Sequence, residues 1–186
     1  MRKTLMLAGV IAATGPPALA KSGDILKVLD DPLGSTNGGV FNVYIDFNND
    51  GLTDQILKTF CVELLEYIDQ SGATQYDFTF SPDHHAQYQG DGISRDELDL
   101  RSAWIYRNWY KGNTFGLGLT ASQLADVVQK ALWDIEDERY YPGDATVQNL
   151  ITQAAAGVAA ASQWMRDNWF GVQVMNIYRD GGSNDP

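Results

Sequence analysis

Two side chains in this sequence could react with each other. Cys61 is the only cysteine and lies in TFCVEL at 59–64, whereas Gln129 lies in VQKALW at 128–133. A thiolate can attack a glutamine carboxamide, release ammonia and leave an internal thioester, provided that the fold holds both groups in position. We therefore predict that Cys61 and Gln129 meet and form a thioester.

The glutamine must be positioned by a helix, which is predicted over residues 121–138. Thr120 is a good N-cap, and Gln123 three residues later completes a capping box. Gln129 lies at the edge of the apolar face, and Trp133 follows one turn later on the same stripe. This favours a second contact surface through Gln129, although a surface glutamine beside a partly exposed tryptophan is the alternative. The main apolar face comprises Leu124, Val127, Val128, Ala131, Leu132 and Ile135.

The cysteine must be positioned by a strand, which is predicted over residues 55–67. Together with residues 40–45 and a turn at 46–54, it forms the clearest hairpin in the sequence. Cys61 is placed mid-strand, on the face opposite its neighbours. A lone cysteine cannot form a disulfide within its own chain, so it is a buried thiol, an intermolecular cross-link or a reactive group. The predicted inward positions are Ile56, Phe60, Val62 and Leu64.

The order of elements, strands followed by helices and then a last strand, predicts an α+β fold. Besides the hairpin, strands are predicted at 24–29 and 76–80, helices at 96–110 and 145–167, and a late strand at 171–178 that rejoins the sheet. Residues 21–178 are expected to form a single domain, and residues 179–186 a polar tail.

Residues 1–20 have the pattern of a secretory signal peptide. Arg2 and Lys3 precede a short apolar run, and Ala18-Leu19-Ala20 is a small-x-small cleavage site. The apolar run is too short to span a bilayer, and no other stretch is long enough. Cleavage would change the formal charge from −11 to −13, since two basic residues are lost. Such an acidic chain argues against nucleic acid or an anionic membrane as a partner. The signal-peptide pattern predicts a secreted or extracellular protein, which could be associated with the cell surface.

The two motifs also resemble a known family. FCVE at 60–63 and VQKALW at 128–133 are similar to the paired motifs of bacterial surface thioester domains, and AWIY at 103–106 resembles the aromatic helix of that family. The resemblance covers about Val40 to Tyr178 and includes exported Gram-negative relatives with C-terminal sorting tails. Residues 179–186 contain no apolar anchor or basic end, which leaves a shortened chain and a freely secreted protein as alternatives.

The resemblance implies a β-sandwich-like sheet region with an inserted helical subdomain of about three helices. It also implies an attachment function. The Cys61–Gln129 thioester would acylate an amine on a surface protein or another amine-bearing ligand, as a single covalent event rather than enzymatic turnover. Trp133, Trp104 and Tyr106 are the expected surroundings of the bond, where a dry aromatic lid would slow hydrolysis. The main alternative is a non-covalent extracellular binding or matrix module with a buried, unreacted Cys61.

A second candidate site is the turn DFNNDGLTD at 46–54. Its spacing is that of a calcium loop, in which alternate oxygen ligands converge and Gly51 permits a sharp turn. An Asn/Asp/Gly hairpin turn requires the same residue types and is the alternative. The candidate Ca²⁺ ligands are Asp46, Asn48, Asp50, the carbonyl of Leu52, and Asp54.

The sequence contains two weaker candidate patterns. His84 and His85 could serve as a base for Cys61, so a cysteine-dependent hydrolase is the third functional reading. An aromatic cluster could bind sugar, although core packing is favoured at helical spacing. That cluster comprises Trp104, Tyr106, Trp109 and Tyr110.

Overall fold

A computed structural model describes residues 3–5, 25–33, 39–47, 49–61, 71–81, 85–87 and 95–179. The fold is α+β, as predicted. Six strands form one antiparallel sheet in the order β1-β8-β5-β2-β3-β4. These strands are β1 (Lys3–Leu5), β2 (Ile25–Asp30), β3 (Phe41–Asp46), β4 (Gln55–Thr59), β5 (Tyr76–Ser81) and β8 (Val174–Arg179); β6 (His85–Gln87) pairs separately with β7 (Arg95–Glu97).

The helices occupy the segment between β5 and β8. They are α1 (Leu100–Tyr110), α2 (Ala121–Ile135), α3 (Ala145–Ala160) and the short α4 (Gln163–Asp167), followed by a 3₁₀ turn at Trp169–Gly171. Because β5 and β8 are neighbours in the sheet, the chain leaves the sheet after β5, builds the helical layer, and returns beside it. The prediction that the last strand rejoins the sheet is confirmed.

The predicted hairpin exists, and among the described residues its second strand covers Gln55–Thr59. β3 and β4 are antiparallel with Val43 opposite Leu57, whereas β4 ends at Thr59. Cys61 therefore follows the strand instead of lying within it, and residues 62–67 lie outside the described residues. The prediction that Ile56 points inward is wrong, because it is 56% exposed. Alternation places Leu57 in the core instead, since successive side chains point to opposite faces.

Two helix boundaries also differ from the prediction. Helix α1 begins at Leu100, because the side chain of Asp99 accepts the N–H of Arg101 as an N-cap; residues 95–97 form β7 instead. The helix predicted over 145–167 is interrupted after Ala160, and Ser162 caps the separate helix α4 through the N–H of Met165. Ser162 supplies the hydroxyl that makes a new helix start favourable at that point.

The buried side chains form two clusters. A sheet cluster consists of strand residues together with Cys61, including Leu26, Val43 and Tyr76. A helical cluster joins the buried faces of α1, α2 and α3 with Phe60, Val172 and Val174. The boundary between the clusters falls between Phe60 and Cys61, so the segment after β4 connects both parts of the core.

Strand β1 lies inside the predicted signal peptide and pairs with β8, with Thr4 opposite Asn176. The rest of the predicted leader and residues 180–186 of the predicted tail lie outside the described residues, whereas Arg179 ends β8. Cleavage after Ala20 would make β8 an edge strand. Within the described ranges, no helix has the length and apolar character needed to cross a membrane.

Candidate functional site

Cys61 and Gln129 are in direct contact although 68 residues separate them. The main-chain N–H of Cys61 donates to Oε1 of Gln129 at 3.2 Å, and Nε2 of Gln129 donates to the carbonyl oxygen of Cys61 at 2.6 Å. The two bonds fix the carboxamide against the backbone of the cysteine. Both residues are buried, with exposed fractions of 5% and 2%. The alternative of a surface glutamine is therefore wrong.

Helix α2 holds Gln129 from the middle of a well-anchored segment. The predicted capping box is present: the Thr120 side chain accepts the N–H of Gln123, and the Gln123 side chain accepts the N–H of Thr120. The apolar face packs into the helical cluster, and Gln129 projects from the edge of that face. The helix thus presents one buried polar side chain to the end of β4.

The end of β4 is held from the other side by α1. The Tyr106 hydroxyl donates to the carbonyl oxygen of Lys58 at 2.5 Å. The ring of Phe60 packs edge-on against Trp109, with centroids 4.6 Å apart and an interplanar angle of 68°. The chain around Cys61 is consequently fixed on both sides: Lys58 and Phe60 contact α1, and Cys61 itself contacts α2.

The pKa of Tyr106 is raised well above its ordinary value of 10.0, mainly because burial disfavours the phenolate and secondarily through Tyr110. Its hydroxyl remains protonated at physiological pH. It therefore stays a donor to Lys58, which keeps this side of the site fixed over the physiological range.

The predicted aromatic surroundings divide into three environments. Trp133 is 4% exposed, and its indole N–H is buried without a hydrogen-bond partner. Tyr106 supports β4, as described above. Trp104 packs against Phe115, with ring centroids 5.8 Å apart, and lies so close to Gly157 of α3 that a methyl group there would overlap its indole.

The geometry at Cys61 has two chemical consequences. The carboxamide satisfies two buried main-chain groups, which is a structural role in itself. The N–H of Cys61 also donates to the oxygen on which negative charge would develop if a thiolate attacked the carboxamide carbon. Both uses require the same hydrogen bonds, so the contact is compatible with a structural clamp and with a thioester precursor.

The candidate calcium turn is closed by its own hydrogen bonds. Asp46 accepts the N–H groups of Asp50 at 3.2 Å and Gly51 at 2.8 Å, and Asp54 accepts that of Phe47 at 2.8 Å. Leu52 is 69% exposed. Asn48 lies outside the described residues. In the part of the chain that the structure describes, no group of three His, Cys, Asp or Glu side chains could hold a metal ion.

The candidate histidine base cannot be positioned in the same way. His84 lies outside the described residues, and His85 begins β6, where only its backbone is described. The cysteine-hydrolase reading therefore stays a prediction.

A polar cluster around Asp31 lies next to the site, and the sequence patterns did not identify it. The buried carboxylate of Asp31 accepts the N–H of Leu33 at 2.9 Å and pairs with Lys58 at 3.0 Å; it also accepts a hydrogen bond from Asn42. Burial acts to raise the pKa of Asp31, but these donors outweigh it and lower the pKa below 3.8. The only sequence signal was an aspartate before a proline, which is typical of a loop.

No protein-family model matches the chain, and no curated protein or solved structure matches it either. The resemblance to surface thioester domains therefore stays a prediction that rests on the two motifs.

Proposed function

We propose that this protein is an exported attachment module in which Cys61 and Gln129 form an internal thioester. The observation that carries the proposal is the double hydrogen bond between the Gln129 carboxamide and the Cys61 main chain, in a buried setting. An amide is a poor electrophile, and a fixed orientation supplies much of the rate of such a reaction.

The first step is an acyl transfer within the chain. The Cys61 thiol loses its proton and its sulfur attacks Cδ of Gln129, forming the S–C bond. The C–N bond to Nε2 then breaks, and the amino group takes up the proton and leaves as ammonia. The N–H of Cys61 stabilises the oxyanion of the tetrahedral intermediate.

The second step transfers the acyl group to a partner. A primary amine, such as a lysine side chain, attacks the thioester carbon and becomes amide-linked to Gln129, and the Cys61 thiol is regenerated with the proton of the amine. Because the glutamine is then consumed, the reaction occurs once per chain and is not catalytic turnover.

Two features support a protected reaction centre. Gln129 and Cys61 are buried, and exclusion of water slows thioester hydrolysis. Trp133 lies one turn after Gln129 on the same helix stripe and is buried, and its indole N–H has no hydrogen-bond partner in the described structure. An orphan buried donor is costly, so a reacting group that satisfies it would gain free energy.

The proposed architecture is a sandwich-like sheet region. One face of the six-stranded sheet carries a buried cluster that contains no helical residue. Such a face requires a second layer to exclude water. The proposed location is extracellular, on the basis of the signal-peptide pattern.

Intact mass of the exported protein tests the thioester. The expected mass is one ammonia below that of the processed sequence, and methylamine should add its own mass to this species, with the methylamide mapped to Gln129. Cys61→Ala is the matched control, because it removes the thiol but leaves both main-chain hydrogen bonds to Gln129. Its mass should equal the sequence and remain unchanged in methylamine.

A mass equal to the sequence in the native protein, with Cys61 alkylated in full after denaturation, would overturn the proposal. That result would favour the non-covalent module, in which Gln129 is a structural clamp for the end of β4.

A further inference from the structure

An open cleft lies where the C-terminal end of α1 meets β3 and β4. Its volume is about 690 Å³, within the range of small-molecule sites. We refer to it as the aromatic cleft. Its lining comprises Leu33, Asn42, Ile56, Lys58, Trp109, Tyr110, Gly112, Asn113, Thr114, Leu119, Ala121 and Leu124.

The aromatic residues of α1 divide between core and cleft. Tyr106 is fully buried, whereas Tyr110 is 36% exposed and Trp109 is half-buried. Tyr106 and Tyr110 are nevertheless stacked, with centroids 5.9 Å apart. Core packing, which the helical spacing favoured, is found for Tyr106. Trp109 and Tyr110 instead line a wall of the cleft that solvent can reach.

The opposite wall carries polar groups that are held in place. Asn42 and Lys58 are directly opposite each other in the β3–β4 ladder. Both bond to the Asp31 carboxylate, whose side chain is 5% exposed. A buried carboxylate that fixes a lysine and an amide at a cleft wall presents preorganised donors to a ligand.

The loop after α1 closes one end. The side-chain oxygen of Asn113 accepts the N–H of Phe115 at 2.7 Å, which fixes the amide plane. Thr114 is exposed beside it. This end of the cleft therefore offers an oriented amide and a hydroxyl.

We propose that the aromatic cleft binds a neutral carbohydrate. A sugar ring has an apolar C–H face suited to Trp109 and Tyr110, and a rim of hydroxyls suited to amide, hydroxyl and ammonium groups. An apolar ligand would leave the polar wall desolvated without partners. An anionic ligand is disfavoured by the charge of −11, and a cationic ligand would meet Lys58.

The proposal does not depend on the thioester. Neither Cys61 nor Gln129 lines the cleft; the nearest link is Phe60, which precedes Cys61 and whose ring contacts Trp109. A bound glycan would hold the protein on a carbohydrate-rich surface by a non-covalent contact, with or without the covalent bond.

The test is calorimetric titration of the full chain with maltose, cellobiose, lactose and N,N′-diacetylchitobiose. At least one should bind, and Tyr110→Ala should weaken that binding about five- to tenfold through loss of one aromatic face. Thr114→Ala is a second, milder variant. Tyr140→Ala is the matched control, since Tyr140 is 75% exposed and does not line the cleft.

Cys61→Ala should bind the sugar as tightly as the native chain, which separates this proposal from the thioester. The proposal is overturned if none of the four disaccharides binds at millimolar concentration. It is also overturned if folded Tyr110→Ala and Thr114→Ala, verified by their melting temperatures, bind as the native chain does.

Discussion

The side chain of Gln129 and the main chain of Cys61 exchange two hydrogen bonds, of 3.2 and 2.6 Å, between the middle of a helix and the end of a strand. The carboxamide of Gln129 pairs with the main-chain N–H and C=O of Cys61, as a residue of a neighbouring β-strand would. The O and N ends of the amide have a single arrangement that satisfies both an N–H and a C=O, so its orientation is determined by the backbone it binds.

The first prediction concerns how much this contact contributes to the free energy of unfolding when no covalent bond is present. In a Cys61→Ala background, Gln129→Met should lower the free energy of unfolding by about 2–5 kcal/mol, because two buried main-chain groups lose their partners. Urea denaturation measures the difference. Lys130→Met on the same helix is the control and should cost less than about 1 kcal/mol, since its pair with Asp144 is partly exposed. A cost as small for Gln129→Met as for the control would contradict the clamp.

The second prediction concerns the orphan indole N–H of Trp133. Benzothienylalanine, which matches tryptophan in shape but lacks the N–H, should leave stability unchanged or raise it by about 1 kcal/mol at position 133. At position 169 the same replacement should destabilise by about 1 kcal/mol, because Nε1 of Trp169 donates to the Leu98 carbonyl at 2.8 Å. Equal losses at both positions would show that Trp133 has a partner. Thermal unfolding of the two variants in parallel provides the comparison.

The third prediction concerns the contact between α1 and α3. Gly157→Ala places a methyl group into the ring of Trp104, so we expect a net loss of about 1–3 kcal/mol from overpacking. The gain in helix propensity, about 1 kcal/mol, opposes this loss. Gly143→Ala is the control because nothing lies within 4 Å of the added methyl group. A stability increase for Gly157→Ala would indicate that the helices separate freely at this point.

The fourth prediction concerns how the stabilisation by Asp31 depends on pH. The pKa of Asp31 is lower in the folded protein than its ordinary value of 3.8. Its contribution is therefore fully present above the unfolded pKa and is lost as the pH falls through the lower folded pKa. Asp31→Asn should cost about 1–2 kcal/mol at neutral pH, and the difference from the native chain should shrink at strongly acid pH. Asp167→Asn, at an exposed position, controls for net charge; a cost for Asp31→Asn that is independent of pH would contradict the role of its charge.

The fifth prediction separates calcium binding from a simple turn at 46–54. If the turn binds calcium, millimolar Ca²⁺ should raise the melting temperature in proportion to the logarithm of its concentration, and a chelator should reverse the rise. Asp50→Asn should weaken that response. A melting temperature unmoved by calcium and chelator would assign the aspartates to the hydrogen bonds that close the turn, which already occupy Asp46 and Asp54.

Local patterns determined the parts of this protein that depend on neighbours in sequence. Local residue patterns predicted the strands β2, β3 and β5, and Thr120 with Gln123 predicted the start of α2, because pleating and capping act over only a few residues. The same patterns failed where local signals compete: Cys61 was placed within β4, which ends at Thr59, and Ser162 interrupts what was predicted as one helix.

Tertiary structure decided which side chains are buried and what they contact. The sequence indicated that Gln129 and Trp133 share a stripe, but it left open a surface location for both. The sequence also gave no sign that the Asp31 carboxylate would bind both Lys58 and Asn42, since those two residues meet only when β3 pairs with β4. Burial and long-range pairing depend on elements far apart in the chain, which is why the contact between Gln129 and the Cys61 backbone could be hypothesised from residue types but located only in the fold.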